Sequence, residues 1–542
     1  VEASSTDSYR YNEAFTVKKG HHFFINGRIH FPSASTHDEI TVKKDGSYHT
    51  LFGPCVAHSG VMYGKTDSNI SLATTRITKS RLPTLPGVEE LLQGYQRDFI
   101  NKHMPLLERI AASYAHDFDD YTDMVKECIE HHDDTHPKRA LRIAAWRDIL
   151  DFALFDDDLW YLPNRGTLYK MKIFEIAKPG KVPRMIGDLG VHASLQGFRL
   201  TKFMKHAMAA GPIEYLGGHI VFCPKPDPFA LEEVFRNLID PPGNFYFVLF
   251  SDDSCVAVRT PGGVKRFNVD ISSCDASHTE KLFGLLQTMV PSMLARDIKS
   301  LVNQCKTDIS IHSIDIPKNK LVMQPPTPRL YSGSTLTTAI NNLANILIAI
   351  SIAEAMCCDA PDIIRAAART GYIVTCEDCT DWHKLQFLKH SPVLDTDGVI
   401  RPLLNIGVLL RLSGTCKGDL PGRKTTPLKD RAAAFQASLL SGAYPKANFT
   451  LLDNMRRSAG MPSHATDRMV AKELSYKVVD NPSYPSFRVS TEEVFKRYDL
   501  DDVEILEVES EFGNCGFSEH YTADGPEKVL KADYGLSGRQ MA

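Results

Sequence analysis

The residues best suited to chemistry lie near the middle of the chain: Ser251-Asp252-Asp253 in one run, then Asp270 and Asp275. The segment before them, FYFVLF (245–250), is wholly apolar and aromatic, as a buried strand is. CVAV (255–258) alternates after the acidic pair, so strand, acidic turn and strand predict a hairpin. TPGG reads as a further turn, and RFNVD brings Asp270 to the end of another strand. Carboxylates on neighbouring strand ends can converge to within metal-bridging distance. Mg2+ suits them, because it takes hard oxygen ligands and shares its shell with substrate phosphates. Two such ions about 4 Å apart activate a hydroxyl and steady a leaving pyrophosphate. Without cations, the gathered carboxylates repel and their pKa values rise. Asp is also a common turn former, and SDD alone fits that blander reading. An apolar hairpin presenting Asp-Asp beside an Asp-x4-Asp strand-to-helix unit favours a metal site.

Three other groupings stand out. From Arg165 to Lys205 there are nine Lys or Arg and two acidic residues, Glu175 and Asp188. That stretch is either a solvated charge run or a phosphate-contacting surface. Cys376, Cys379 and His383 have C-x2-C-x3-H spacing, but a structural zinc needs a fourth ligand, and only Cys416 or a distant His could supply one. Ordinary thiols are the expectation there. His131, His132 and His136 sit in an acidic, solvated-looking stretch and read as surface residues.

The elements that must position these groups can be read coarsely. HHFFING and EITVKKDGSYHTLF read as N-terminal strands closed by Asn-Gly and Asp-Gly turns. Helical spacing runs through GVEELLQGYQRDFINKHMPLLERIAASYAHDF and PKRALRIAAWRDILDFALF. KMKIFEIAKPGKVPRMIGDLG reads as two short strands around Pro179-Gly180. A helix is expected from His278 to Met289, capped by the polar residues before it. SGSTLTTAIN opens a loop and then a long helix, whose apolar part from Leu343 to Met356 is too short for a bilayer and reads as core. Pro361 to Thr370 is a helix, GYIVTCED a strand, and LQFLKHSPVLDTDGVIRPLL a hairpin with Asp-Gly at its turn. Beyond Asn405 the pattern is mostly helical, and the last 35 residues are acidic and polar, with little sign of a long packed element.

Several of these segments resemble the motifs of viral RNA-dependent RNA polymerases. DISSCD (270–275) resembles motif A, SGSTLTTAIN (332–341) matches motif B written SGxxxTxxxN, and FSDD (250–253) resembles motif C. Lys172 to Arg184 resembles motif F, LQFLKHSP resembles motif E with His390 where Arg is often found, and 361–378 is then motif D. Motif C normally follows B. Here no such hairpin follows Asn341, because Glu377-Asp378 sits immediately before E, and the good candidate precedes A. The C-A-B order resembles the permuted polymerases of birnaviruses and of permutotetraviruses of the Thosea asigna type. Birnavirus enzymes carry Asp-Asn in this hairpin, so the Asp-Asp kept here looks closer to the insect-virus group.

The resemblance implies roles. Asp252 and Asp270 would be the principal Mg2+ ligands, with Mn2+ able to substitute, and Asp253 a secondary one. Asp275 and Asn341 would sit by the incoming ribose, whose 2'-hydroxyl both donates and accepts hydrogen bonds. Ser332 and Gly333 would shape a loop under the templating pair, with Thr337 facing the same pocket; a loop with an N-cap is the plainer reading. Lys172, Lys181 and Arg184 would hold the triphosphate, Lys178 would contact RNA near the turn, and Lys389 would touch the primer strand. Self-attachment of a nucleotide is a further implication, with Ser4, Ser5 and Ser8 as candidate acceptors.

Composition sets the frame. A chain of 542 residues exceeds one hydrophobic core. Its 43% hydrophobic and 24% charged residues are ordinary for a globular protein, and a net charge of -4 does not itself suggest nucleic-acid binding. The 12 Cys show no framework spacing, so reduced thiols are expected. The polar start, VEASSTDSYR, has no secretory pattern. The expected fold class is α+β, a polymerase right hand with permuted palm connectivity. Residues 1–75 would be an N-terminal extension, 76–235 with 290–325 the fingers, 236–289 and 326–405 the palm, and 406–542 the thumb and tail. Expected partners are RNA template and product, ribonucleoside triphosphates, and viral capsid or replication proteins, in the host cytoplasm within replication complexes or virions. Two other readings compete. One is another palm-type nucleotidyltransferase, reverse-transcriptase-like or protein-priming. The other is a non-catalytic viral RNA-binding protein, which would lack clustered metal ligands.

Overall fold

A computed structural model describes residues 8–11, 15–18, 24–25, 28–29, 47–49, 69–70, 73, 87–114, 127, 139–153, 169–173, 183–188, 190–209, 211–223, 227–312, 320–324, 329–334, 336–410, 415–417, 446–458, 481, 483–511 and 523–535. Apolar runs and turn residues in the middle of the chain build a six-stranded sheet. Its order is Val374–Asp378, Gly263–Ile271, Asp253–Thr260, Phe245–Phe250, Gly218–Phe222 and Ile213–Tyr215. The hairpin of Phe245–Phe250 and Asp253–Thr260 turns through Ser251 and Asp252. A second turn at Pro261 and Gly262 leads straight into Gly263–Ile271, so the two acidic segments share one antiparallel meander. Neighbouring Gly218–Phe222 runs parallel to Phe245–Phe250, joined by the crossover helix Pro228–Ile239. Asp227 caps that helix by accepting from the Ala230 N–H at 2.8 Å, and Pro228 opens it.

Both faces of the sheet are covered, which is why FYFVLF carries no polar residue. Phe245, Phe247, Leu249, Val256, Val258, Phe267, Val269 and Ile271 join the main core with the helices Val88–Tyr114, Glu280–Thr288, Thr337–Ala355 and Ala360–Arg369. Tyr246, Val248, Cys255 and Ala257 point the other way, onto Leu231, Val234, Phe235 and Leu238 of the crossover helix. The period-two alternation thus divides one apolar run between two cores. Helix Thr337–Ala355 is long and apolar enough to cross a membrane by length and composition, yet 83% of its apolar window is buried inside the protein. It is the core helix the sequence suggests.

A second six-stranded sheet runs Ser8–Tyr11, Phe15–Lys18, Lys320–Gln324, Ile309–His312, Tyr169–Ile173 and Met185–Asp188. It joins the N-terminal hairpin, the insert after the first acidic segments, and both strands of the basic stretch. The hairpin His390–Leu394 and Ile400–Leu404, turned at Asp397 and Gly398, packs on a third core with the C-terminal helices.

Several expectations change. The strands Ile213–Tyr215 and Gly218–Phe222 belong to the acidic sheet, although they precede residue 236. Ser47–His49 pairs with Thr415–Lys417, while residues 40–46 lie outside the described residues. Helix Asp524–Tyr534 in the polar tail is a packed element, with Val529 and Leu530 buried. Its buried Asp533 is satisfied by Arg497, Tyr498 and the Gly407 N–H, so a polar sequence still packs there.

Candidate active site

The register of the meander sets the carboxylates. Asp253 stands directly opposite Asp270 on the adjacent antiparallel strand, and Asp270 faces Thr375 on its other side. Directly opposed residues on neighbouring strands have Cβ atoms about 4.5–5.5 Å apart. Asp252 lies at the hairpin tip beside them, exposed, as is Asp270, whereas Asp253 is half-buried. Lost hydration raises the Asp252 carboxyl above its usual range and Asp275 pushes it further, while Arg184 opposes both. Asp270 is raised by lost hydration and then by Asp252, against Arg184 and Lys389. Burial pushes Asp253 up to about 7; the Leu388 N–H, donating to its Oδ2 at 2.8 Å, pulls down, and Asp252 and Asp270 push up. Like charges gathered at one sheet end repel one another, a cost that a cation would relieve.

The acidic turn is held from behind. Ser251 has a left-handed backbone, φ +55°, which is uncommon for a residue with a side chain. Its N–H donates to Asn342 Oδ1 at 2.7 Å, and its C=O accepts from Asn345 Nδ2 at 2.6 Å. Asn341 Nδ2 donates to Ser251 Oγ at 3.2 Å. Three asparagines on the first turns of helix Thr337–Ala355 therefore clamp the residue before Asp252. Asn342 and Asn345 were not among the sequence candidates. The signal was available, because three Asn in a helix buried from Ala339 to Ala353 each need a partner.

The second acidic segment meets the loop before that helix. Asp275 sits in the short helix Cys274–Ser277, accepting from Ser332 Oγ at 2.5 Å and from Asn341 Nδ2 at 3.1 Å. Gly333 has φ +97°, and a Cβ there would meet the Gly187 carbonyl oxygen at 2.7 Å. Only glycine meets both conditions. The Gly187 N–H donates to the Ser332 C=O at 2.8 Å, so this loop is docked on the strand Met185–Asp188. Arg184, exposed at the start of that strand, is thereby brought within electrostatic reach of Asp252 and Asp270.

The other candidates fall differently. Thr337 opens the helix with its hydroxyl 3.5 Å from the Tyr331 C=O, and no side chain caps the helix, whose N-cap is Leu336. Lys172 is paired by its backbone with Ile186; Lys178 and Lys181 lie outside the described residues. Lys389 is exposed at a turn where Leu388 and Lys389 both have positive φ, and its ammonium sits 4.6 Å over the Tyr534 ring. His390 is buried, which lowers its pKa to about 4 and keeps it neutral at pH 7. Ser8 begins a strand opposite Lys18, while Ser4, Ser5 and the histidines at 131, 132 and 136 lie outside the described residues. His383 contacts Asp381 and Glu493, at 3.1 and 2.6 Å, and burial pushes the Cys376 and Cys379 thiols up to about 12. Thr279 does not cap the helix Glu280–Thr288; its hydroxyl donates to Gln96 Oε1 instead.

Among the described residues, no group of three or more His, Cys, Asp or Glu is gathered as a metal cage. Mg2+ in phosphoryl-transfer sites uses one or two carboxylates, with phosphates and waters completing its shell. Asp252 and Asp270 are hard oxygen donors of that number, exposed at one sheet end and held above their usual pKa range, so the donor set fits the ion.

The protein is thus an α+β molecule with an acidic sheet end, a glycine loop docked on the neighbouring strand Met185–Asp188, and Arg184 just before that strand within electrostatic reach of the carboxylates. No protein-family profile and no curated protein matches the chain. Many solved structures resemble it, among them the following two. A birnavirus VP1–VP3 complex aligns at 12% identity over 90% of this chain and 72% of that one, with a TM-score of 0.44. The RNA polymerase VP1 of infectious pancreatic necrosis virus aligns at 11% identity over 76% of this chain and 62% of that one, with a TM-score of 0.41. Likenesses at this level assign no residue.

Proposed function

We propose that this chain is a viral RNA-dependent RNA polymerase, which extends an RNA 3'-hydroxyl with ribonucleoside triphosphates by two-metal nucleotidyl transfer. The observation that carries the reading is the convergence at one sheet end. Asp253 is opposite Asp270, and Asp275 is bonded to both Ser332 and Asn341. When bound, Mg2+ or Mn2+ supplies charge neutralisation and activates the attacking hydroxyl. Asp252 and Asp270 would hold the ions, with Asp253 behind them. Arg184, which acts electrostatically on Asp252, is proposed to neutralise phosphate charge by its planar fork. Lys172 and Lys181 are proposed to join it, and Lys178 and Lys389 to contact RNA. Asp275 and Asn341 are proposed to take the ribose 2'-hydroxyl, the carboxylate accepting and the Asn341 NH2 donating. The rest of the effect is positioning and electrostatics, as phosphoryl transfer needs little covalent help.

In this reading the acidic sheet, with its strands Ile213–Tyr215 and Gly218–Phe222, is the palm, the second sheet with the rest of 76–235 and 290–325 belongs to the fingers, and 406–542 is the thumb and tail. The role would be genome replication and transcription in the host cytoplasm, in replication complexes or virions, with capsid or replication proteins as partners. Self-nucleotidylylation at Ser4, Ser5 or Ser8 is proposed alongside; radiolabelled GTP that fails to label the protein removes it. The deciding experiment is template-directed incorporation with Mg2+ or Mn2+, RNA against DNA templates. Asp252→Asn and Asp270→Asn should each reduce incorporation by on the order of 10³-fold while RNA binding survives. Near-normal extension by either variant sinks the assignment.

A further inference from the structure

His278 lies between the helices Cys274–Ser277 and Glu280–Thr288, 5% exposed. Its Nε2 is 2.7 Å from Asn341 Oδ1, and its Nδ1 is 2.9 Å from the Tyr372 hydroxyl. The two rings meet edge-on at 5.8 Å and 73°. Asn341 and Tyr372 are themselves 1% and 0% exposed.

Donors and acceptors in this chain can be assigned by elimination. An ionised carboxylate only accepts, so Asn341 must turn its NH2 to Asp275 Oδ1, 3.1 Å away. The same NH2 reaches Ser251 Oγ at 3.2 Å. Asn341 Oδ1 then faces the other way, to the Cys274 thiol at 3.3 Å and to His278 Nε2. An amide oxygen cannot donate, so His278 carries its proton on Nε2. In the neutral ring Nδ1 is then an acceptor, and the Tyr372 O–H donates to it. Hydrogen bonds thus run in one direction from Tyr372 through His278 and Asn341 to Asp275 and Ser251.

We infer that His278 is a positioning residue for sugar selection: through Asn341 it fixes which amide atom faces Asp275 and the nucleotide, and Tyr372 fixes its tautomer. The inference rests on the polymerase reading and adds to it a residue that touches neither nucleotide nor metal. Without the His278 N–H, the buried Asn341 oxygen keeps only a weak thiol donor. The amide is then free to turn, and the 2'-hydroxyl loses a defined partner.

Competition between ribo- and deoxynucleotides in primer extension tests this on the full chain, with thermal unfolding beside it. His278→Leu should lower the preference for ribonucleotides about tenfold, the loss of one buried donor. His278→Gln, which can place an N–H near the Nε2 position, should restore most of it. Tyr372→Phe should fall between them. Equal preference in wild type and a folded His278→Leu overturns the inference, as does equal loss in His278→Gln and His278→Leu. If His278→Leu does not fold, Tyr372→Phe decides, because it keeps the ring and removes only the hydroxyl; unchanged preference there overturns it. Should wild type incorporate nothing on any template, the polymerase reading falls and this inference with it. An active, selective wild type with unaltered variants sinks this inference alone.

Discussion

Asp253→Asn should stabilise the metal-free protein clearly at pH 8 and much less at pH 5. The carboxyl is pushed from its ordinary 3.8 up to about 7, chiefly by burial and then by Asp252 and Asp270, against the Leu388 N–H. A group whose folded pKa lies above its unfolded value holds a proton more tightly when folded. Its contribution is fully present below about 4 and is lost as pH rises through about 7. The gap between 3.8 and about 7, at about 1.4 kcal/mol per pH unit, sets a ceiling of about 4 kcal/mol. Residual solvent and relaxation around a half-buried group bring the expected cost to about 1–2 kcal/mol. Asparagine keeps the size and an oxygen for the Leu388 N–H, but carries no charge. Thermal midpoints in chelator at pH 5 and pH 8 would measure the difference. Adding Mg2+ should narrow the gap at pH 8, because an ion that binds the folded carboxylates stabilises the wild type more. An equal gain at both pH values, or a variant that melts lower at pH 8, would refute the electrostatic reasoning.

Gly333→Ala should raise the nucleotide KM and cost about 2 kcal/mol, from left-handed strain and contact with the Gly187 oxygen. Gly398→Ala is the control, since it has positive φ but open space, and activity should persist. Asn345→Ala removes the donor to the Ser251 C=O and should lower kcat by about tenfold with KM little changed, in steady-state primer extension. Equal effects on both constants would count against a clamp on the catalytic turn. Asn341→Ala should relax rejection of deoxynucleotides in the same assay, and unchanged discrimination removes its sugar role.

The meander was legible because its signals are local. A two-sided apolar strand, an acidic turn and a Pro-Gly turn sit in sequence order, and register follows from turn length. The Ser332-Gly333 loop was legible through its resemblance to motif B, although its hydroxyl-to-carboxylate bond to Asp275 spans 57 residues. Long-range partners were not. Nothing around Ile213–Phe222 announces parallel pairing with Phe245–Phe250, which depends on a crossover helix. His278 reads in sequence as a polar residue near a helix start, and its burial against Tyr372 joins segments that are far apart in the chain. Helix Asp524–Tyr534 escaped notice because beside its short apolar pair Val529 and Leu530 it packs through a buried ion pair, Asp533 with Arg497 at 3.1 Å, which a polar sequence does not announce. Lys389, expected over a primer, is drawn to the Tyr534 ring of that same helix.

The direct run from acidic hairpin into the Asp270 strand has a consequence for how the molecule is made. The pairs within the meander, from Phe245 with Val258 to Asp253 with Asp270, each close a short loop, so the meander costs little entropy to form and can form early. The bonds that hold Ser251 span 91 and 94 residues. During synthesis the acidic turn emerges well before the asparagines that clamp it. The chain therefore spends part of its birth with its carboxylates assembled and its turn unlocked. Pulse-labelled hydrogen exchange should find the Val248 and Val256 amides protected before that of Ser251.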